Sequence, residues 1–313
     1  MSILVTGSIA YDTIMVFPDR FRNHLLADQL HILNVCFLTP QMRREYGGTA
    51  GNIAYNLKLL GESPLVMATV GEDGGPYLER LRRLGIATEL VKTIPGQFTA
   101  QAFITTDLDD NQITAFHPGA MNFAHENHVK GEQGARLAII APDGKEGMLQ
   151  HARECAEEGV DMMFDPGQGL PMFSREELER FIELARYVAV NDYEGKLLEE
   201  KTGRGLEAIA RQVQALIYTQ GAKGSTILAG GKRFDVPCVQ AEAVLDPTGC
   251  GDAYRAGLLY GIAHGWDWPS TGKLGALMGA IKVAQRGAQN HAPAREEIEA
   301  RFRRAFGYSA WKG

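Results

Sequence analysis

The sequence predicts an α/β protein built on a central, mostly parallel sheet, with a smaller β structure set against it. From about residue 137, short apolar runs alternate with helical spacing. Leu137 to Ala141, Asp161 to Asp165 and Tyr187 to Val190 each read as a strand followed by a helix, the rhythm of parallel βαβ units. The chain enters on Ile3 to Ile9, an apolar, β-branched run of the kind that forms a strand buried on both faces. Near the other end, Asp246-Pro247-Thr248-Gly249-Cys250-Gly251-Asp252 separates apolar Ala243, Val244 and Leu245 from a helical stretch, Ala253 to Gly265. That reads as strand, tight glycine turn, helix.

Two segments break the rhythm. Residues 13–46 hold short candidate strands, such as His31 to Leu38, with aromatics between them. Residues 98–118 read as a hairpin: Thr99 to Thr106, a polar turn Asp107 to Asn111, then Gln112 to Phe116. Together they predict a small sheet that leaves the main body and covers a pocket.

Composition narrows the function classes. The 313 residues are 45% hydrophobic and 22% charged, enough to bury a large core, with a net charge of −6. No dense Lys/Arg run offers a nucleic-acid surface. The four cysteines, Cys36, Cys155, Cys238 and Cys250, lack Cys-x-x-Cys spacing, so reduced thiols are expected and a zinc site is not. The chain starts directly on a strand, with no basic segment and cleavage site before it. No apolar run reaches the roughly 20 residues that cross a membrane. The expectation is a cytoplasmic protein acting on small molecules, without a nucleic-acid or membrane partner.

Taken in order, Asp12 lies just past the entry strand, at the edge where open α/β sheets bind ligands, or else in an ordinary turn. Gly47-Gly48-Thr49-Ala50-Gly51-Asn52 leads into a helix through Leu60, stopped by Gly61. Asn52 either faces a ligand from the first turn or caps the helix. Leu65 to Val70 is the next strand and Gly75 to Leu84 the next helix. Phe116 is a candidate for stacking on a base or for core packing. Asp165-Pro166-Gly167-Gln168 and Asn191-Asp192-Tyr193-Glu194 stand at strand ends, with Asn191 and Glu194 on one helical face. That spacing suits a hydrated Mg²⁺ or an N-cap with an acidic first turn equally well. Thr219, Gly221, Lys223 and Gly224 lie in a strand–turn–strand that could pass under phosphates or be a plain glycine hairpin. No Gly-x-x-x-x-Gly-Lys-Ser/Thr occurs, which disfavours a P-loop NTPase. After the 246–252 turn, the Gly257, Gly261 and Gly265 spacing predicts a helix packed closely on the sheet. Leu274 to Ala284 and Arg295 to Phe306 are further helices. His125-Glu126-Asn127-His128 lacks zincin spacing and reads as a surface loop.

The 246–252 turn carries the chemistry. Its glycines let the backbone turn, and the first N–H groups of the following helix have no partner inside it. Gly249, Cys250 and Gly251 therefore offer donors to an anion, reinforced by the helix dipole. A carboxylate beside bound phosphate is unfavourable unless chemistry requires it there. A base for a hydroxyl attacking phosphorus is such a requirement, and Asp252 has that position.

The heptad 246–252 resembles the second signature of the ribokinase-like (PfkB) kinase family, and Gly47-Gly48 with Asn52 resembles its first. Asn191/Glu194 and the 219–224 turn are similar too, so the resemblance covers nearly all 313 residues. Within the family, Gly7-Ser8-Ile9-Ala10-Tyr11-Asp12, Phe17 to Phe21, Phe116 to Gly119, Asp165 to Gln168 and Asn191 to Glu194 look most like bacterial adenosine and broad-specificity nucleoside kinases. The resemblance implies one three-layer α/β/α domain over 1–313, with a β lid from about 13–46 and 98–118. It implies ATP with Mg²⁺ as phosphoryl donor, and phosphorylation of the 5′-hydroxyl of a purine nucleoside, adenosine first. Asp252 is then the base, and Gly249, Cys250 and Gly251 steady the transferred group. Ser8, Asp12, Gly47, Gly48 and Asn52 meet the ribose, and Phe116 and Gln168 the base. Asn191, Glu194, Thr219, Gly221, Gly224 and Gly287 serve the nucleotide, with Asn191 and Glu194 reaching Mg²⁺ through water. The backbone at Asp246 and Thr248 is the candidate site for a monovalent cation, K⁺, and a homodimer is the candidate assembly. Cys250 replaces the alanine usual there and adds an expected thiol sensitivity. A ribose or fructose kinase of the same family, and a non-catalytic nucleoside-binding regulator, are the alternatives.

Overall fold

Neighbouring side chains on the entry strand go to different cores. Ile3 and Val5 join one buried cluster and Leu4 the other, as the two-residue period of a strand requires. The computed structural model describes residues 2–25, 34–109, 111–131 and 134–311. The elements run β1 (Ser2–Thr6), β2 (Ala10–Val16), β3 (Gln41–Gly47), α1 (Thr49–Leu59), β4 (Leu65–Val70), α2 (Gly75–Arg83), β5 (Val91–Thr93), β6 (Ala100–Thr106) and β7 (Gln112–His117). The regular part follows as β8 (Ala135–Ile140), α3 (Lys145–Glu157), β9 (Asp161–Phe164), α4 (Arg175–Leu184), β10 (Tyr187–Asn191), α5 (Asp192–Thr202), α6 (Leu206–Ala210), β11 (Ala215–Thr219), β12 (Ser225–Ala229) and β13 (Lys232–Val236). Helices α7 (Cys250–Ala263), α8 (Trp268–Val283) and α9 (Arg295–Phe306) close the chain.

The main sheet has the order β13-β12-β11-β10-β9-β8-β1-β4-β5, parallel from β11 to β5, with β12 and β13 antiparallel at one edge. On one face, Ile3, Val5, Ile139, Ala189 and Ile217 pack with Leu57 of α1, Leu81 of α2, Leu258 of α7, Met278 of α8 and Phe302 of α9. On the other, Leu4, Ile140, Val188 and Leu216 pack with Met148 of α3, Phe181 of α4, Leu198 of α5 and Ile209 of α6. This is the expected three-layer α/β/α body, and the ligand end is the C-terminal edge of its parallel strands.

The second, smaller sheet, β3-β2-β6-β7, is the one expected to serve as the lid, and takes that name. The expected hairpin is β6 and β7, and β2 lies parallel to β6. Two boundaries differ from expectation. The strand placed at His31 to Leu38 falls partly on 31–33, outside the described residues; residues 34–38 form no strand, and the lid strand is Gln41–Gly47. The entry strand ends at Thr6, so Asp12 belongs to lid strand β2 and not to the edge of the body sheet. Tyr46 of β3 packs edge-on against Tyr77 of α2 at 5.0 Å, with Arg80 over its ring at 4.6 Å. Those contacts fasten the lid's inner end to the body.

Two further expectations are corrected. Residues 243–245 are not a strand, and Val244 and Leu245 are 80% and 54% exposed. Gly257 and Gly261 serve a helix–helix contact, not a helix–sheet one. A Cβ on Gly257 would lie 2.6 Å from the backbone of Gly275 in α8, and one on Gly261 2.5 Å from Thr271 Oγ1. Gly265 lies beyond the end of α7.

Candidate active site

Two helix N-termini meet above the sheet. α1 begins after Gly48 and α7 after Gly249, whose φ of +78° is left-handed. A Cβ on Gly249 would sit 2.9 Å from Ala288 Cβ and 3.6 Å from Asn52 Nδ2, so this residue brings the two helices together. Asn52 donates its Nδ2 to Asp252 Oδ2 at 2.8 Å. Its Oδ1 accepts from Gln289 Nε2 at 3.0 Å, and the same Nε2 donates to Tyr77 Oη at 2.6 Å. Tyr77 Oη in turn donates to the Gly47 carbonyl at 2.8 Å. The direction of each bond follows from the next. Because buried Gln289 gives an N–H to Asn52 Oδ1, Asn52 must present its NH₂ to the carboxylate. From this segment the sequence pointed only to Gly287; the side chains of Gln289 and Tyr77 were missed.

The charge around Asp252 is organised by Arg255, one turn further along α7. Buried Arg255 makes a bidentate pair with Asp165, Nε to Oδ2 and Nη2 to Oδ1 both at 3.1 Å, and its Nη2 lies 3.8 Å from Glu194 Oε2. Burial pushes the Asp252 carboxyl up to about 7; the Asn52 bond lowers it, Asp165 raises it and Arg255 lowers it. Burial, then Asp246 and Glu45, push Asp12 up to about 6. Glu194 is raised by burial and by Asp165, against the pull of Arg255. A carboxylate poised near neutrality at the mouth of a helix is suited to take a proton from an alcohol.

Of the three expected anion donors, the Gly249 N–H has no protein acceptor among the described residues, and one is taken. The Cys250 N–H is taken by the Pro247 carbonyl at 3.1 Å. Those of Gly251 and Asp252 have no protein acceptor among the described residues and open on the site. Gly251 is helical, exposed, and has no atom closer than 3.9 Å to an added Cβ, so the fold does not demand glycine there; its effect is to leave the N–H groups uncovered. The Cys250 thiol is pushed up to about 11 by burial, partly offset by Lys282, which argues against the expected thiol sensitivity.

The lid brings several of the expected site residues together. Glu45, Asp12, Ala102 and Phe116 are directly paired across β3, β2, β6 and β7, so their side chains share one face. Phe116 is 52% exposed, which excludes the core-packing alternative. Gly47 packs on Asp12, where a Cβ would meet Oδ2 at 2.5 Å. Ser8 serves the fold. Its hydroxyl accepts from the Thr49 N–H at 3.1 Å, its N–H donates to the Pro142 carbonyl and its carbonyl accepts from Ala50 N, joining β1 to α1. Gln168 is exposed in a short 3-10 turn, Gly167–Met172, after β9.

The remaining expected residues lie along the ends of β10 and β11 and in the turn before α7. Asn191 caps α5: its Oδ1 accepts from Glu194 N at 2.8 Å, and Glu194 Oε2 accepts from Asn191 N at 2.8 Å. Thr219 is the register partner of Asn191. Gly221 opens a 3-10 turn, Gly221–Lys223, whose Lys223 is exposed, and Gly224 abuts the Val236 carbonyl. Asp246 Oδ1 accepts from Thr248 N at 2.9 Å and Oδ2 from Gly287 N at 2.8 Å. Among the described residues no cluster of three His, Cys, Asp or Glu could cage a metal.

An α/β/α body with an acid at an open helix N-terminus beside a small β sheet is the arrangement that a phosphotransferase with an alcohol acceptor needs. The family model for pfkB family carbohydrate kinases matches residues 10–295, and the chain belongs to that family. It is 32% identical over 271 residues to a nucleoside kinase of Methanocaldococcus jannaschii, covering 86% of this chain and 89% of that one. The structure of Burkholderia thailandensis nucleoside kinase in complex with inosine superposes with a TM-score of 0.90 at 55% identity, covering 99% of this chain and 100% of that chain. The same enzyme in complex with ADP-inosine gives 0.88 at 56% identity, covering 99% and 98%.

Proposed function

We propose that the protein transfers the γ-phosphoryl group of ATP to the 5′-hydroxyl of a purine nucleoside, with adenosine and inosine as the acceptors to test first. One observation carries the reading: Asp252 stands beside the open N–H groups of α7, is held by Asn52, and lies near Asp12 on the lid face that also presents Phe116. Asp252 accepts the 5′-hydroxyl proton as the oxygen attacks. The N–H groups of Gly251 and Asp252 receive the charge that develops on the phosphoryl oxygens. Asp12 and Asn52 hold the ribose hydroxyls beside the Gly47–Gly48 backbone, and Phe116 stacks on the purine, with Gln168 at its edge. Lid closure excludes water, the competing acceptor.

The ends of β10 and β11, with Asn191, Glu194, Thr219, Gly221 and Gly224, receive the nucleotide. Mg²⁺ keeps most of its waters and takes few protein ligands. Buried Glu194, engaged with Asn191 and Arg255, fits an outer-shell role, in which its carboxylate accepts from metal-bound water. When bound, the ion neutralises phosphate charge. Met42, Phe103 and Ile113 are exposed on the lid face opposite Asp12, which supports pairing of lids in a homodimer.

The experiment is a phosphorylation panel of adenosine, inosine, guanosine, cytidine and ribose with ATP and Mg²⁺. Purine nucleosides are expected to lead in kcat/KM. A preference for ribose would assign a sugar kinase, and no turnover with any acceptor a regulator.

A further inference from the structure

Lys282, in the last turn of α8, is 0% exposed, and no carboxylate lies within ion-pair distance of it among the described residues. Its ammonium donates instead to the Asp246 carbonyl at 2.8 Å and the Gln285 carbonyl at 3.0 Å. Those carbonyls belong to different segments. Asp246 opens the turn that delivers Gly249, Gly251 and Asp252; Gln285 opens the turn that delivers Gly287 and Gln289. The Asp246 carboxylate joins the same two segments by accepting from Thr248 N and Gly287 N. Leu245 N and Asp246 N both donate to the Val283 carbonyl, at 2.9 and 3.2 Å. One buried positive charge therefore sits where the two turns meet, beneath the start of α7.

An ammonium out of water is costly unless oxygen ligands replace its hydration. Burial lowers the Lys282 pKa, while nearby Asp246 raises it. Carbonyl oxygens around a compact monovalent charge are also what a K⁺ ion would ask of this backbone. The residues present do not fit a second cation. The Asp246 carbonyl already faces the ammonium, both Asp246 carboxylate oxygens accept N–H groups, and two like charges sharing one oxygen repel.

We infer that the Lys282 ammonium is the resident cation of the phosphate-binding turn, so that this kinase works without a monovalent metal ion. Lys282 is a positioning residue. It ties the 246–252 turn to the 285–289 turn, and so sets Asp252 against Asn52 and Gln289. The catalytic consequence rests on the kinase reading above; the claim about the cation does not.

The test compares the wild type with Lys282→Met and Lys282→Ala in choline, Na⁺, K⁺ and NH₄⁺ chlorides at constant ionic strength. The readouts are the unfolding midpoint, ADP affinity by calorimetry, and kcat and KM. The wild type is expected to be flat across the salts in every readout. Lys282→Met, neutral but similar in length, should lose about 10- to 100-fold in kcat with little change in nucleoside KM. Lys282→Ala leaves room, so K⁺ or NH₄⁺ should raise its midpoint and restore about tenfold or more of its kcat, and choline should do neither. The inference is overturned by a wild type whose midpoint or kcat climbs with K⁺, by Lys282→Met at the wild-type rate, or by a Lys282→Ala defect that no cation repairs. If the wild type phosphorylates no acceptor, the kinase reading fails, and midpoint and ADP affinity still decide the role of Lys282.

Discussion

Asp252→Asn should abolish most turnover and make the ligand-free protein more stable at alkaline pH. The carboxyl is raised from 3.8 to about 7, first by burial. A group whose folded pKa lies above its unfolded value contributes its full stability below the unfolded pKa, and loses it as pH rises through the folded one. The cost of holding Asp252 ionised therefore grows between about pH 4 and pH 7 and is complete above. About 3 units at 1.36 kcal/mol each gives roughly 4 kcal/mol as an upper bound. The amide variant keeps an acceptor oxygen for Asn52 Nδ2 and carries no charge, so about 1–3 kcal/mol should be recovered, or several degrees in Tm. Turnover should fall by roughly 10²–10⁴-fold while ATP still binds. Thermal unfolding at pH 5 and pH 8.5, without ligand, checks the first half, with the gap between the proteins widening at the higher pH. A variant no more stable at pH 8.5 than the wild type would show that the site tolerates the charge freely. Near-normal turnover would remove Asp252 from its role as base.

The other perturbations probe separate contacts. Asn52→Leu removes the 2.8 Å bond to Asp252; at ~1.5–3 kcal/mol for a bond to a charged group, the acidic limb of kcat/KM should move up by about 1–2 pH units. An unmoved limb would mean that Asn52 does not hold the base. Phe116→Ala should raise KM for purine nucleosides about tenfold or more and leave any activity on ribose unchanged, since stacking on a base is worth ~1–3 kcal/mol. Equal losses on both acceptors would end the stacking role. With its thiol near 11, Cys250 should react with iodoacetamide more slowly than exposed Cys36 and Cys238, and Cys250→Ala should keep wild-type turnover. Peptide mapping that found Cys250 modified first would contradict this. Gly257→Ala places a methyl 2.6 Å from the Gly275 backbone and should cost about 1–3 kcal/mol in unfolding free energy. An unchanged unfolding midpoint would show that α7 and α8 part without penalty.

What could be read from the chain was whatever a short stretch determines for itself. The apolar runs of β8 to β11 alternate with helices, so the layered body was legible, and the Gly249 turn announced a helix N-terminus with an acid on it. What failed needed partners far away. Ile3 to Ile9 is one apolar run, yet only its first half is strand; Ile9 is buried where the chain turns toward the lid, which moved Asp12 into β2. Val244 and Leu245 looked like strand because an apolar pattern does not reveal which apolar residues stay exposed. β13, Lys232–Val236, was missed because edge strands carry charge. Gln289 lies 237 positions from the Asn52 it orients, and nothing local distinguishes it. Arg255 and Lys282 are different. Each is a cation flanked by apolar residues on a largely apolar helix, Ala253 to Leu258 for Arg255 and Ala280 to Ala284 for Lys282, and a buried cation must find oxygen. That contradiction was visible in the sequence. Followed to its consequence, it leads from Arg255 to Asp165 beside Asp252 and from Lys282 to the carbonyls beneath the 246–252 turn. A charge that a helix has no local reason to carry is therefore a better pointer to this site than the glycines that first drew attention to it.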